Sequence, residues 1–313
     1  MLNSGASSLT PSSAEASWYG DRGTLAGGYT TGTDYNIIDY WNITSAGNAS
    51  DFGDLSDTRE DLAACSNGSK GYYFTGWDYN TGGNAGYTDV IEYITFASTG
   101  NATSHGTLGT PRQNLGGCSD GTTGLCGGGH DHTTGFGGAV GEIIDYLTLS
   151  TTGNASDFGD LTVARGGCGC VSDGTKGVWA GGHSGSYSNI IDYVTIASTG
   201  NATDFGDLIN TGYGGAGTAN KTRGIFAGFY TYNNIIQYIT IASTGNASDF
   251  GDKINNTAWI GSTGNGTTGQ FMGGSAGWSN VIQSVTIAST GNASDFGDLT
   301  QARASCNSGT SGN

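Results

Sequence analysis

Positive charge is scarce in this chain. Lysine and arginine together number 10 against 26 acidic residues, a formal net charge of −16, so most of the surface would repel a phosphate backbone and nucleic acid is not an expected partner. Long apolar runs are missing as well. No stretch approaches the roughly 20 residues of a membrane span, so no membrane insertion is expected, and Met1 to Ser8 lack the basic and apolar regions of a secretory leader. Proline occurs only as Pro11 and Pro111, which leaves the turns to Gly, Asn, Asp and Ser.

What is abundant is glycine, 59 of 313 residues. Alone it would suggest a low-complexity chain, but an aromatic content of 11% and a strict periodicity argue for order. The Gly-Asn of a recurring turn places its Asn at 48, 101, 154, 201, 246 and 292, at spacings of 45 to 53 residues. Apolar residues between these markers come in short bursts rich in β-formers, too short for ordinary helices. In the fourth copy the bursts predict strand a over about 165–174, b over 176–182, c over 189–197 and d over 201–207. A lone four-stranded sheet cannot bury both faces without neighbours, so six such units predict a six-bladed β-propeller. Strand a is made of small residues (Leu62-Ala-Ala-Cys-Ser66, Gly166-Gly-Cys-Gly-Cys170), as suits the crowded innermost strand of a propeller.

The two ends of the chain complement each other. Arg59, Arg112 and Arg165 each precede the Gly that opens strand b by the same step, to Gly71, Gly124 and Gly177. The last copy carries Leu299-Thr-Gln-Ala-Arg303 and then only enough chain for one strand, whereas the first begins at Arg22-Gly23 with strand b. The C-terminal strand is therefore expected to complete the N-terminal blade and close the ring, leaving no open edge. Residues 1–19 match no repeat and are expected to be an arm or tether, with residues 20–313 the propeller.

The double glycine ending strand b (Gly27-Gly28, Gly128-Gly129, Gly181-Gly182, Gly273-Gly274), the strand c tyrosine (Tyr40, Tyr93, Tyr146, Tyr193, Tyr238), the strand d aromatic (Phe52, Phe158, Phe205, Phe250, Phe296) and the Leu-Thr-x-Ala-Arg step resemble the kelch class of propellers. The strand d aromatic is Phe rather than Trp, and blade 2 has His105 in its place. The wording of the repeat, Ala-Ser-Thr-Gly-Asn-Ala-Ser/Thr-Asp-Phe-Gly-Asp-Leu, resembles propeller repeats of structural and tail-fibre-like proteins of marine cyanophages. That resemblance implies a virion component that meets other virion proteins, a host surface glycan or a host protein. The alternative is an extracellular carbohydrate-binding propeller or a galactose-oxidase-like copper enzyme. The enzyme would need metal-binding Tyr and His side chains converging on the axis, and nothing in the sequence marks such a set. No enzymatic role and no cofactor are expected.

Other motifs have plainer readings. Asp-Phe-Gly, from Asp51, Asp157, Asp204, Asp249 and Asp295, lacks every companion motif of a kinase and is read as turn chemistry, its paired acids as a solvated strand end rather than a calcium loop. Asn-Ala-Ser/Thr, a glycosylation sequon in all six copies, is read as left-handed backbone for the c-to-d turn. The cysteines, Cys65, Cys118, Cys126, Cys168, Cys170 and Cys306, form no zinc-type pair and sit at ring-spaced positions, so free core thiols are expected. His130-Asp131-His132 and His183 occupy matching places on adjacent blades; they are read as polar loop residues, with a zinc site the alternative.

In an antiparallel blade the b-to-c and d-to-a connections share one face and the a-to-b and c-to-d turns the other. The c-to-d turns are nearly uniform, whereas the b-to-c loops vary in length and carry Tyr29, Tyr35, Trp77, Tyr79, Tyr87, His130, His132, Phe136, Tyr187, Tyr230, Tyr232 and Trp278. Rings with apolar faces and polar edges suit sugars and protein partners alike. Trp77, Tyr79, Tyr87, His130, His132, Phe136, Tyr187, Tyr230, Tyr232 and Trp278 are therefore the candidate ligand-binding residues, centred on blades 2 and 3.

Overall fold

Strand c shows why the repeat cannot fold alone. In Ile190–Thr195 the buried residues are Ile191, Asp192 and Val194, with Ile190 and Tyr193 half-buried. Both faces of the strand are covered, as a blade between two neighbours requires. The computed structural model, which describes residues 18–78, 86–131, 141–231, 233–304 and 309–313, satisfies this demand six times over. Each blade is a four-stranded antiparallel sheet in the order a-b-c-d. In blade 4 these are Gly169–Ser172, Lys176–Ala180, Ile190–Thr195 and Thr203–Asp207. Strand a is thus shorter than expected, because Arg165 to Cys168 form a link across the loop face.

Closure follows the complementary ends. Strand Gly309–Gly312 pairs antiparallel with Arg22–Ala26, Ser311 opposite Gly23 and Thr310 opposite Thr24, and this sheet continues through Ile37–Asn42 to Ser50–Asp54 as blade 1. The inner strands then touch in an unbroken circle, each meeting the strand a of the blades on both sides. Among the described residues the core is six apolar layers, one between each neighbouring pair of blades. Two tryptophans cross these layers to polar partners: Trp41 Nε1 donates to Gln270 Oε1 (2.6 Å) and Trp179 Nε1 to the Gly116 carbonyl (2.9 Å).

Crowding at the axis goes further than small residues in general. At one register position of strand a the six blades read Gly309, Ala64, Gly117, Cys170, Gly217, Ser262, alternating glycine with a side chain around the ring. A Cβ on Gly117 would lie 2.6 Å from the Ala64 carbonyl oxygen, and one on Gly217 2.7 Å from that of Cys170. Only every second blade has room for a side chain at this waist.

The repeated wording proves to be an inter-blade clasp. In each blade the c-to-d turn lies along the outer strand of the preceding blade: Gly200 N donates to Phe158 O (2.7 Å), Ala202 N to Asp160 O (2.7 Å), and the Asn201 carboxamide oxygen accepts from Asp160 N (3.2 Å). The same Asn contact recurs at Asn48, Asn101, Asn154, Asn246 and Asn292. The open edge of every outer strand is thereby covered by its neighbour. Asp-Phe-Gly lies within strand d, as the expected extent of that strand requires, and is not a turn; a register shift opposite strand c marks a bulge there. Its glycine is required: Gly206 has φ 147°, and a Cβ there would meet Gly245 O at 2.5 Å. The six Asn-Ala-Ser/Thr turns thus have a structural use in every blade, but it is not the expected left-handed backbone, since none of the six Asn has a positive φ. Described cysteines are free and buried, as expected.

Candidate recognition face

The loop face is built on buried charge. Arg59, Arg112, Arg165 and Arg303, at the end of the d-to-a links, are fully buried and pair with Glu92, Asp145, Asp192 and Asp39 of strand c. Arg165 Nη1 lies 2.7 Å from Asp192 Oδ2, and its Nε donates to the Gly181 carbonyl (2.8 Å), so one guanidinium ties the link to the end of strand b. The acid meanwhile accepts from the link backbone, Thr162 N at 3.1 Å. Blades 5 and 6 lack the Arg, having Gly212 and Thr257, and there the acid is also gone. Gln237 and Gln283 take its place and accept from Ile209 N and Ile254 N, both at 2.8 Å. When the cation is lost its partner becomes neutral, because an unpaired buried carboxylate is costly. Phe229, in the place of the second glycine of the pair, fills the volume left at Gly212. In blade 6 Lys253 replaces the usual Leu and donates to Thr257 O and Asn255 O, its pKa lowered by burial to about 8.

On this base each d-to-a link hydrogen-bonds to the residue following the glycine pair. The partnered positions are Ala304 with Tyr29, Glu60 with Trp77, Gln113 with His130, Gly166 with His183, Tyr213 with Tyr230 and Ala258 with Ser275. Five of the six loop-side residues carry a ring, so the loop face presents an aromatic crown around the axis. Inside it Asp61, Asn114, Gly167 and Gly214 form a collar: Asn114 N donates to Asp61 O (2.9 Å), Gly167 N to Asn114 O (2.7 Å) and Gly214 N to Gly167 O (2.7 Å).

The crown is uneven. Over blades 4 to 6, His183, Tyr187, Tyr213, Tyr230 and Trp259 form one cluster. Tyr187 stacks on Tyr213 (centroids 5.2 Å, 25°), Tyr213 meets Trp259 edge-on (4.6 Å), and His183 lies 5.3 Å from Tyr213. Tyr230 contacts Tyr187, Tyr213 and Trp259. Tyr187 is 40% exposed and the other four are half-buried. Between blades 2 and 3, Tyr87 packs edge-on against His130 (6.2 Å). The Gln113 amide nitrogen, only a donor, faces His130 Nε2 at 3.0 Å, so that ring nitrogen accepts. Burial pushes the His130 pKa down to about 4, partly offset by Asp131. Between blades 6 and 1, Trp278 packs on Tyr29 (5.2 Å) and donates to Thr31 Oγ1 (3.1 Å).

Of the expected ligand-binding residues, Tyr187 and Tyr230 come together, as do Tyr87 and His130, while Trp278 stands apart with Tyr29. Trp77 is not in a loop: strand b of blade 2 extends over Lys70–Trp77 and pairs Trp77 with Tyr87, the first residue of strand c. Tyr79, His132, Phe136 and Tyr232 lie outside the described residues. His130 and His183 turn to different neighbours, Gln113 and Tyr87 for the first, Tyr187 and Tyr213 for the second. Among the described residues no group of three or more His, Cys, Asp or Glu is arranged to hold a metal ion. Sequence reasoning missed Tyr213 and Trp259, which stand in d-to-a links. The signal was present, since Tyr213 stands where blades 1, 4 and 6 have Ala304, Gly166 and Ala258, and Trp259 stands where blades 4 and 5 have Gly167 and Gly214. No protein-family model matches the chain, and no curated protein matches it.

Proposed function

We propose that this propeller is a non-enzymatic attachment module of a virion, a fibre or decoration protein that holds a neutral glycan of a host surface on the aromatic cluster of blades 4 to 6. The observation that carries the recognition reading is that cluster: five rings from three blades, half-buried to exposed, on the face whose loops differ most. Sugar rings present C–H faces that pack on aromatic faces and hydroxyls that reach ring edges and backbone groups. The net charge of −16 disfavours sialylated, sulfated or phosphorylated ligands and favours an uncharged one. A large protein partner would need roughly 800 Å² of matched surface per side, far more than a few rings supply. The virion setting rests on the wording of the repeat, and the rigid closed ring suits it.

Titration of the protein with neutral oligosaccharides, followed by tryptophan fluorescence, tests the recognition reading, since Trp259 sits in the cluster. A saturable change with a neutral sugar and none with its sulfated counterpart is the expected result; preference for the anionic sugar overturns the choice of ligand. Cofractionation with assembled particles tests the setting, and a protein found free of particles overturns it.

A further inference from the structure

The opposite face carries a feature that the recognition reading does not use. On this side of the ring axis a cavity of about 110 Å³ reaches the waist residues and is lined by Ser66, Ser119, Ser172, Cys65, Cys118 and Cys170 together with Trp18 and Tyr19. The Trp18 ring lies directly against Gly174, its Cα and Cβ lie near Gly121, glycines of the a-to-b turns of blades 4 and 3, and Lys221 of the blade 5 turn reaches over the ring at 5.8 Å. Tyr19 packs against Gly266 of the blade 6 turn, with a would-be Cβ 2.5 Å from its ring, and meets Trp18 edge-on at 5.4 Å. The chain then passes Asn313, whose Oδ1 accepts from Asp21 N (3.2 Å), and enters strand b of blade 1. Trp18 and Tyr19 thus pack on the turns of the ring.

We propose that the a-to-b mouth of the channel is a socket whose occupant is the chain's own Trp18-Tyr19, so that the N-terminal segment is mounted on the ring axis and the aromatic crown faces the other way. Four blades contribute. The turn glycines at 174 and 266, with φ of 85° and 81°, lack side chains where the two rings lie, and Gly121, with φ of 91°, lacks one where the Trp18 Cβ lies, so the surface is flat enough to receive them. The sequence shows the fit in another way, because the blade 5 turn has Lys221 where the others have glycine, and that residue supplies a cation to the indole face. Seated there, the two rings form part of the cavity's wall. A pull on the N-terminal segment would be shared among blades 3 to 6 rather than peeling strand b of blade 1 from its sheet. This mounting stands independently of what the crown binds.

Two measurements on the full chain test the socket. Gly174→Asn places a side chain where the indole lies while tolerating left-handed backbone, and it leaves the occupant's own sequence intact. Chymotrypsin should spare the bonds after Trp18 and Tyr19 in the wild type and cut them in Gly174→Asn, while the melting temperature of the ring stays the same in both. Equal cleavage in wild type and Gly174→Asn would overturn the proposal. Cleavage that appears only together with a lowered melting temperature would mean that the ring itself opens, and would likewise overturn a role confined to the mouth.

Discussion

Arg165 and Asp192 are joined by a 2.7 Å ion pair with both side chains wholly buried, and the two blades that lack this arginine also lack the acid. The chain thus contains its own double-substitution experiment. Removing one partner strands a buried charge, which costs about 3–5 kcal/mol, whereas the neutral pair of blade 5 does without either charge. Asp192→Gln alone and Arg165→Gly alone are both expected to be strongly destabilising in chemical denaturation. The double variant should recover much of the loss that comes from charge. A strictly additive double variant would contradict the coupling.

The clasp between blades gives a second prediction. Gly206→Ala puts a methyl group against the Gly245 carbonyl and must push the blade 5 turn off the outer strand of blade 4. A loss of about 1–3 kcal/mol is expected, with faster amide exchange at Gly245 and Ala247, whose N–H groups now bond Phe205 and Asp207. Asn246→Ala, which removes only the contact to Asp207 N, should cost about 1 kcal/mol.

Most of the fold was legible because the repeat spells the same contacts six times. Turn glycines, small inner residues and the split blade are local or periodic features, and they fixed blade count and closure without any long-range information. The meaning of the repeated words was harder to see. Asp-Phe-Gly falls within the expected strand d, yet its Gly and Asp read as turn chemistry; it is a strand because the turn of another blade lies against it, a contact that no single repeat contains. The arginine pairs were likewise hidden, although comparison of Asp39, Glu92, Asp145, Asp192, Gln237 and Gln283 with the presence of arginine would have found them. Tyr213 and Trp259 escaped because candidate residues were sought only in the b-to-c loops, while the links that bring these two to the same face resemble inner-strand sequence.

Acid should weaken the ring through its histidines. Burial lowers the pKa of His130 to about 4, and burial, then the nearby Lys70, lowers that of His105, which packs between Tyr72 and Tyr93. In both cases the unfolded chain binds the proton more readily, so their contribution is intact above the unfolded pKa of about 6.5 and is lost as pH falls toward the folded values. Asp145, raised by burial, acts in the opposite sense. The comparison is therefore made between variants: His130→Asn should flatten the fall in melting temperature between pH 6.5 and 4, and His105→Phe, which restores the residue of the other copies, should raise the melting temperature more at pH 5 than at pH 8. Identical pH profiles for wild type and both variants would contradict these assignments.

Ring closure predicts that deleting residues 309–313 exposes the edge of Arg22–Ala26 and removes the inner strand between blades 6 and 2. The truncated chain should melt at a clearly lower temperature, and the isolated peptide, added back, should raise it. Unchanged melting would contradict closure by the C-terminal strand.

The central claim, that the cluster over blades 4 to 6 recognises an uncharged glycan, is tested most directly on an array of neutral and anionic glycans probed with wild type, Tyr187→Ala/Tyr230→Ala and Trp278→Ala. Wild type is expected to bind a set of neutral glycans, the double variant to lose that binding with its melting temperature preserved, and Trp278→Ala, outside the cluster between blades 6 and 1, to keep it. Neutral-glycan binding retained by Tyr187→Ala/Tyr230→Ala would contradict the account.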